Sequence, residues 1–100
     1  MAKLTFESNP KHRSKKRGRV SSQPTDGQTA LDNSVQISER STRRVGVDRE
    51  NLEIVVLMEH LPGIFHGFVV GWNELERGVQ RQLQELGLVT SRGRIIVRQR

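Results

Sequence analysis

Residues 44–70 read RVGVDRENLEIVVLMEHLPGIFHGFVV, and this stretch decides the fold. It contains three apolar runs of the alternating or continuous kind that is typical of β-strands, at residues 44–48, 52–58 and 64–70. Polar residues 49–51 and the Leu-Pro-Gly sequence at 61–63 separate these runs as turns. Because only short turns join the runs, we predict an antiparallel β-meander. The continuously apolar middle run should be covered on both faces and lie centrally.

A short helix is predicted before these strands, within residues 25–34. Asp26 suits the N-cap position, and Ala30 and Leu31 can then face the core. The alternation of apolar and polar residues at 35–37 indicates the start of another strand.

An amphipathic helix is predicted after the strands, opened by Asn73 with Glu76 as its capping-box partner. Its apolar stripe consists of Leu75, Val79, Leu83 and Leu86. Gly87 should end this helix in a left-handed conformation, with Leu88 giving the accompanying apolar contact. Gly78 weakens a helix by about 1 kcal/mol relative to Ala, so we expect close packing to require it.

Residues 94–98 predict a last short strand. The fold class is therefore α+β: a small antiparallel β-meander with a short N-terminal helix and one amphipathic helix packed on the sheet.

The net charge of +6 is confined to the first fifth of this 100-residue chain. Residues 1–20 contain seven Lys and Arg residues and one Glu, whereas residues 21–100 contain ten Arg and ten acidic residues. Residues 1–24 are predicted to be a basic arm, either disordered or held by a partner, because few apolar side chains offset its ordering entropy. Leu4 and Phe6 are expected to anchor its start on the single domain of residues 25–100.

Several classes of protein are excluded by what the sequence lacks. Without cysteine there is no disulfide framework, no Cys-type zinc site and no thiol nucleophile. No apolar run approaches the roughly 18–20 residues that span a bilayer, and the N-terminus is not a secretory signal peptide. We therefore expect a soluble, cytoplasmic protein with no membrane partner. The histidines lack metal-ligand spacing, and nucleotide-binding motifs are absent, so no metal or other cofactor is expected.

The arm is the strongest binding signal, with six cations within nine residues: Lys11, Arg13, Lys15, Lys16, Arg17 and Arg19. Such a density attracts polyphosphates, because binding releases condensed counterions. We expect contact with nucleic acid. An anionic membrane, an acidic protein partner and a merely solvated tail remain alternatives.

His66 lies within a predicted strand, where a histidine is more often a hydrogen-bonded structural residue than a catalytic one. Arg43 and Arg44 begin another strand and can either clamp a phosphate or form a solvated strand end. His60 is expected to be an exposed bystander in a turn. Trp72 is expected to cap the core rather than line a site.

Six short motifs occur in a characteristic order: Asn9-Pro10-Lys11-His12, Ala30-Leu31-Asp32-Asn33-Ser34, Ser41-Thr42-Arg43-Arg44-Val45-Gly46-Val47-Asp48, Phe65-His66-Gly67, Trp72, and the ending Gly87-Leu88-Val89 with Arg92-Gly93-Arg94-Ile95. This ordered set resembles the C-terminal toxin domains of bacterial polymorphic toxins. It is similar to those grouped with the barnase, EndoU, colicin and RelE class of metal-independent ribonucleases. The resemblance spans nearly the whole chain and implies one or two N-terminal helices followed by a curved antiparallel sheet.

The activity implied by this resemblance is cleavage of RNA, with tRNA among the candidate substrates, through attack of a 2′-OH on the adjacent phosphate. Such chemistry needs a base, an acid and a cation for the charge that develops on phosphate. By the resemblance His66 would be an acid or base, Arg43 or Arg44 would stabilise charge, and His12 would be the second acid or base. The arm would hold the RNA backbone, and an acidic immunity protein or antitoxin would cover the cationic face.

Two other function classes remain open. The chain can be a non-catalytic RNA- or DNA-binding protein that uses the arm, or an interaction module whose arm docks on an acidic partner. Members of the ribonuclease class often read His-Gly-His at the third strand, where this chain has Phe68. This departure favours the non-catalytic alternative.

Overall fold

The computed structural model describes residues 3–8 and 23–97. In chain order its elements are β1 (Thr5–Phe6), α1 (Gly27–Asp32), β2 (Val35–Gln36), β3 (Arg44–Asp48), β4 (Glu53–Leu61), β5 (Ile64–Val70), a 3-10 helix (Trp72–Glu74) and α2 (Arg77–Glu85). The strands form one five-stranded sheet in the order β1-β5-β4-β3-β2. Strand β1 is parallel to β5 and the other neighbours are antiparallel. The predicted α+β class and the meander of β3, β4 and β5 are confirmed.

One face of the sheet packs against α1. Ala30 and Leu31 are buried there, and Asp26 caps the helix by accepting a hydrogen bond from the Thr29 backbone N at 3.1 Å. The remaining apolar side chains of this face are Val55, Leu57, Phe65, Leu4, Phe6 and Val69. The predicted helix, its N-cap and the anchoring of the chain start by Leu4 and Phe6 are therefore confirmed.

The opposite face packs against α2, whose Val79 and Leu83 are buried. They join a core formed with Val45, Val47, Ile54, Val56 and Val89. Because successive side chains of a strand point to opposite faces, the buried run at 54–57 contributes to both cores in turn. The central, doubly covered position predicted for β4 is therefore confirmed. None of the helices in the described part of the chain is long and apolar enough to cross a membrane.

The start of the second helix differs from the prediction. Helix α2 begins at Arg77 rather than Asn73, and its N-cap Glu76 makes no capping hydrogen bond with its side chain. Residues 72–74 form the separate 3-10 turn, and Leu75 after it is extended with φ −89° and ψ 145°. This extended residue packs against the α2-face core, so tertiary packing overrides the local capping-box signal.

The end of α2 matches the prediction in part. Gly87 has φ 77°, and the Leu88 backbone N donates to the Leu83 carbonyl at 3.1 Å, as expected for a left-handed helix end. Leu86, expected in the buried stripe, is 52% exposed. The packing expected at Gly78 is absent, because a Cβ there would meet nothing within 4 Å.

Two strand boundaries also differ from the prediction. Leu52 belongs to the turn before β4, with φ 56°, and β4 continues to Leu61. The strand expected at residues 94–98 is reduced, within the described residues, to a single bridge between Val89 and Ile95.

Candidate functional site

Two histidines lie face to face at one end of the sheet. The rings of His60 in β4 and His66 in β5 are stacked, with centroids 4.4 Å apart and planes inclined by 16°. His60 is the extra residue of a β-bulge, because Glu59 pairs with Phe65 and Leu61 already pairs with Ile64. His60 is exposed, as expected, but it lies in β4 and not in a turn.

Glu7 joins this pair from the edge of the sheet. Its backbone N donates to the Phe65 carbonyl at 2.9 Å, which holds it beside β5. Its Oε1 lies 3.8 Å from His66 Nε2, and the His66 side chain is 20% exposed against 59% for Glu7. A partly exposed imidazole beside a carboxylate is suited to proton transfer.

Arg43 lies on the same face of the sheet as His66. In β4, Met58 pairs with His66 of β5, and Leu57 pairs with Arg44 of β3. Arg43 directly precedes Arg44, so it lies level with Met58. Arg43 also lines a cavity with Val45 and other side chains of the α2 face. Two strand spacings give a backbone separation of about 10 Å between Arg43 and His66.

Arg44 lies on the opposite, α1 face and is held there. Its Nε donates to Ser34 Oγ at 2.6 Å and its Nη2 donates to the Ser34 carbonyl at 3.0 Å. Ser34 is buried, and its Oγ donates in turn to the Leu31 carbonyl at 2.6 Å. The structure therefore brings Arg43 and His66 to one face but does not bring Arg44 to it.

The remaining predicted site residues lie outside the described residues: His12, Lys11, Arg13, Lys15, Lys16, Arg17 and Arg19. Within residues 3–8 and 23–97, no group of three or more His, Asp and Glu side chains could hold a metal ion.

Trp72 behaves as a packing residue. It lies against the α2-face core, and a Cβ added at Gly93 would come within 2.4 Å of its ring. The indole is thus covered by the backbone of the last turn, as expected for a core cap.

Sequence reasoning missed Glu7 and His60. The alternation of residues 4–7 carries a signal for Glu7, since it places Phe6 in the core and Glu7 on the other face. The alternation of β4 carries a signal for His60 as well, since Val56, Met58 and His60 alternate onto the α2 face, but the strand was expected to end at residue 58.

No family model matches the chain, and no curated protein matches it. A solved structure, the CDI complex (for contact-dependent growth inhibition) from Cupriavidus taiwanensis, contains a chain with 40% sequence identity. The match has a TM-score of 0.69 and covers 72% of this chain and 97% of that chain. The chain therefore belongs to the same family as that chain of the contact-dependent growth inhibition complex, which places it among the C-terminal domains of polymorphic toxins.

Proposed function

We propose that this domain is a growth-inhibition toxin that cleaves RNA without a metal ion, through attack of a 2′-OH on the adjacent phosphate. The observation that carries the proposal is the placement of Arg43 and the His60–His66–Glu7 cluster on one face, in a member of a polymorphic-toxin family. The arm, with six cations between residues 11 and 19, would hold the backbone of the RNA.

Met58 lies between Arg43 and His66 across the sheet and is 46% exposed. A phosphate lying over Met58 would have a guanidinium on one side and an imidazole on the other. Arg43 would stabilise the charge that develops on the phosphate oxygens. His66 would exchange a proton with the 2′-OH or the leaving 5′-oxygen.

Glu7 and His60 would assist His66 in different ways. The Glu7 carboxylate beside His66 Nε2 would orient the imidazole. The stacked His60 restricts the ring from its other side and offers a second imidazole at the same edge. His12, expected as the second acid or base, remains part of the proposal through the sequence motif that contains it.

The test is to incubate the purified full chain with total RNA in the presence of EDTA. Wild-type protein should cut RNA, and His66→Ala should lower the cleavage rate by about 100-fold or more, since general acid–base catalysis contributes that much. Arg81→Ala is the matched control, because Arg81 is an exposed cation on α2 and its loss should leave cleavage unchanged. Intact RNA with wild type, or equal cleavage by His66→Ala, would overturn the proposal.

A second candidate function is RNA binding without cleavage. Phe68 stands where members of the ribonuclease class often have a second histidine, and it lies on the same strand face as His66. This reading predicts salt-dependent RNA binding, no cleavage and no toxicity on expression.

The proposed partner is an acidic immunity protein that covers the face with Arg43 and His66. Met58 and Leu61 are exposed large apolar residues at the same end of β4, and such side chains are common in the cores of protein interfaces. An immunity protein seated there would bury these residues and block RNA from the imidazoles. Co-expression with a cognate immunity protein should restore growth, and Met58→Glu should weaken the complex because it adds a charge of the same sign as the partner's.

A further inference from the structure

A cavity of about 360 Å³ lies beside the proposed cleavage site, between the start of α2 and the sheet. Its walls include the charged side chains of Arg43, Glu74 and Glu76 and the apolar side chains of Val45, Phe68 and Val79. The volume falls in the range of about 300–1,000 Å³ that is typical of small-molecule sites. Its composition is also typical: a mostly apolar lining with a few charged groups.

The cavity lies next to the proposed cleavage face and shares Arg43 with it. Phe68 follows His66 by two residues on the same face of β5, so the two side chains are about 7 Å apart along the strand. Arg43 lines the cavity and also lies level with Met58 and His66. An RNA chain whose phosphate lies over Met58 would therefore have a neighbouring nucleoside at the cavity mouth.

Two carboxylates in the cavity wall decide which part of a nucleotide fits there. Glu74 Oε1 accepts a hydrogen bond from the Gly71 backbone N at 2.9 Å and is already engaged. Glu76 caps no backbone N–H, and among the described residues no hydrogen bond or ion pair reaches its carboxylate. Carboxylates repel phosphates, so they can contact RNA favourably only through donor groups on a base or sugar.

We propose that this cavity binds one unstacked guanine base of the RNA, with Phe68 as an apolar contact for the ring and Glu76 as the acceptor for its Watson–Crick edge. This inference rests on the proposed function and deepens it by naming a substrate determinant. Guanine presents two adjacent donors, N1–H and N2–H₂, which match the two oxygens of one carboxylate. On the Watson–Crick edges of the other three bases every donor has an acceptor beside it, which a carboxylate would repel. Unstacked bases in single-stranded RNA are recognised by such edge contacts and by aromatic side chains.

The experiment measures binding of mononucleotides to the full wild-type chain by NMR titration, which does not depend on cleavage. Guanosine 5′-monophosphate should bind about tenfold or more tightly than the adenosine, cytidine and uridine monophosphates, since a charged hydrogen bond is lost with each of these. Inosine 5′-monophosphate, which lacks the N2 amino group, should bind more weakly than the guanosine compound.

The matched variants are Glu76→Gln and Glu85→Gln. Both residues are exposed on or next to α2, but Glu85 lies at its opposite end and outside the cavity. Glu76→Gln should abolish the preference for guanosine monophosphate, and Glu85→Gln should retain it. Equal binding of all four mononucleotides, or a guanosine preference that survives Glu76→Gln, would overturn the inference.

The outcomes also separate this inference from the proposed function. Guanosine selectivity without any cleavage of RNA would contradict the ribonuclease and leave the base site standing. Cleavage of RNA without guanosine selectivity would support the ribonuclease and overturn the base site.

Discussion

Replacing Arg44 with Met tests whether Arg44, on the α1 face of the sheet, stabilises the fold and has no part in the cleavage proposed for the opposite face. Methionine keeps the unbranched apolar stem of arginine but removes the guanidinium. The substitution removes two hydrogen bonds to Ser34, one to its Oγ at 2.6 Å and one to its carbonyl at 3.0 Å. Ser34 is only 9% exposed, so its carbonyl loses a donor at a buried position. Since a hydrogen bond to a charged group contributes about 1.5–3 kcal/mol, we expect Arg44→Met to lower the free energy of unfolding by about 2–3 kcal/mol.

The assay is urea unfolding followed by the fluorescence of Trp72, the single tryptophan of the chain, which packs against the α2-face core. For a domain of this size each kcal/mol corresponds to about 4–8 °C in Tm, so the variant should melt roughly 10–20 °C lower. The m value should stay unchanged, because the two-state transition should still expose the same surface. At temperatures where the variant is folded, the proposed RNA cleavage should persist.

Arg43→Met is the matched control because it makes the same chemical change one residue away. The Arg43 side chain is exposed, so the free energy of unfolding should change by no more than about 0.5 kcal/mol. The proposed RNA cleavage should fall sharply. Equal stability of Arg44→Met and wild type, or loss of cleavage with Arg44→Met and not with Arg43→Met, would refute the reasoning.

Local geometry and charge lead to four further predictions. Gly46→Ala should destabilise the fold by about 3 kcal/mol in urea unfolding, because its Cβ would lie 2.1 Å from the Ala30 carbonyl oxygen. Gly78→Ala, on an open surface of α2, should instead stabilise it by about 1 kcal/mol. Leu52→Asn should raise the free energy of unfolding by about 0.5 kcal/mol, since Asn adopts the left-handed conformation found there at φ 56° more easily; a lower urea midpoint would contradict this. Replacing the six cations between residues 11 and 19 with Ser should reduce the salt slope of RNA binding by about four, and an unchanged slope would remove the arm from the interface.

The elements that could be predicted are those in which local pattern and packing agree. The β-branched run in β4 was recognisable as a central strand because both its faces are apolar, and both are buried. Asp26 correctly indicated where α1 begins. Its carboxylate accepts hydrogen bonds from Thr29 in the first turn, and no group in the core competes for it. The exact span of β5, Ile64–Val70, follows from the turn at Pro62 and Gly63.

The candidate site was harder to predict because it depends on side-chain direction. Arg43 and Arg44 are adjacent in sequence, but neighbouring residues of an extended chain point to opposite faces of a sheet. Arg43 shares a face with Val45, two residues on, and Arg44 does not, so the alternation around Val45 was the signal that separates the two arginines. His60 was missed because β4 runs past residue 58, where the predicted strand ended, and its register shifts by one residue between Glu59 and Leu61. Neither parallel pairing of β1 with β5 nor the contact between Glu7 and His66 follows from local pattern, since both join segments nearly 60 residues apart.

The open face follows from a mismatch in length between α2 and β4. Each contains nine residues, but a helix rises about 1.5 Å per residue and a strand about 3.3 Å, so α2 is about 14 Å long and β4 about 30 Å. Val79 and Leu83 of α2 pack near Ile54 and Val56, in the first half of β4. The second half, from Met58 onward, therefore extends past the helix, and Met58 and His60 on it are exposed beside His66 of β5. Burial of the first half stabilises the sheet, and the same sheet holds the uncovered half in place for the role proposed for it.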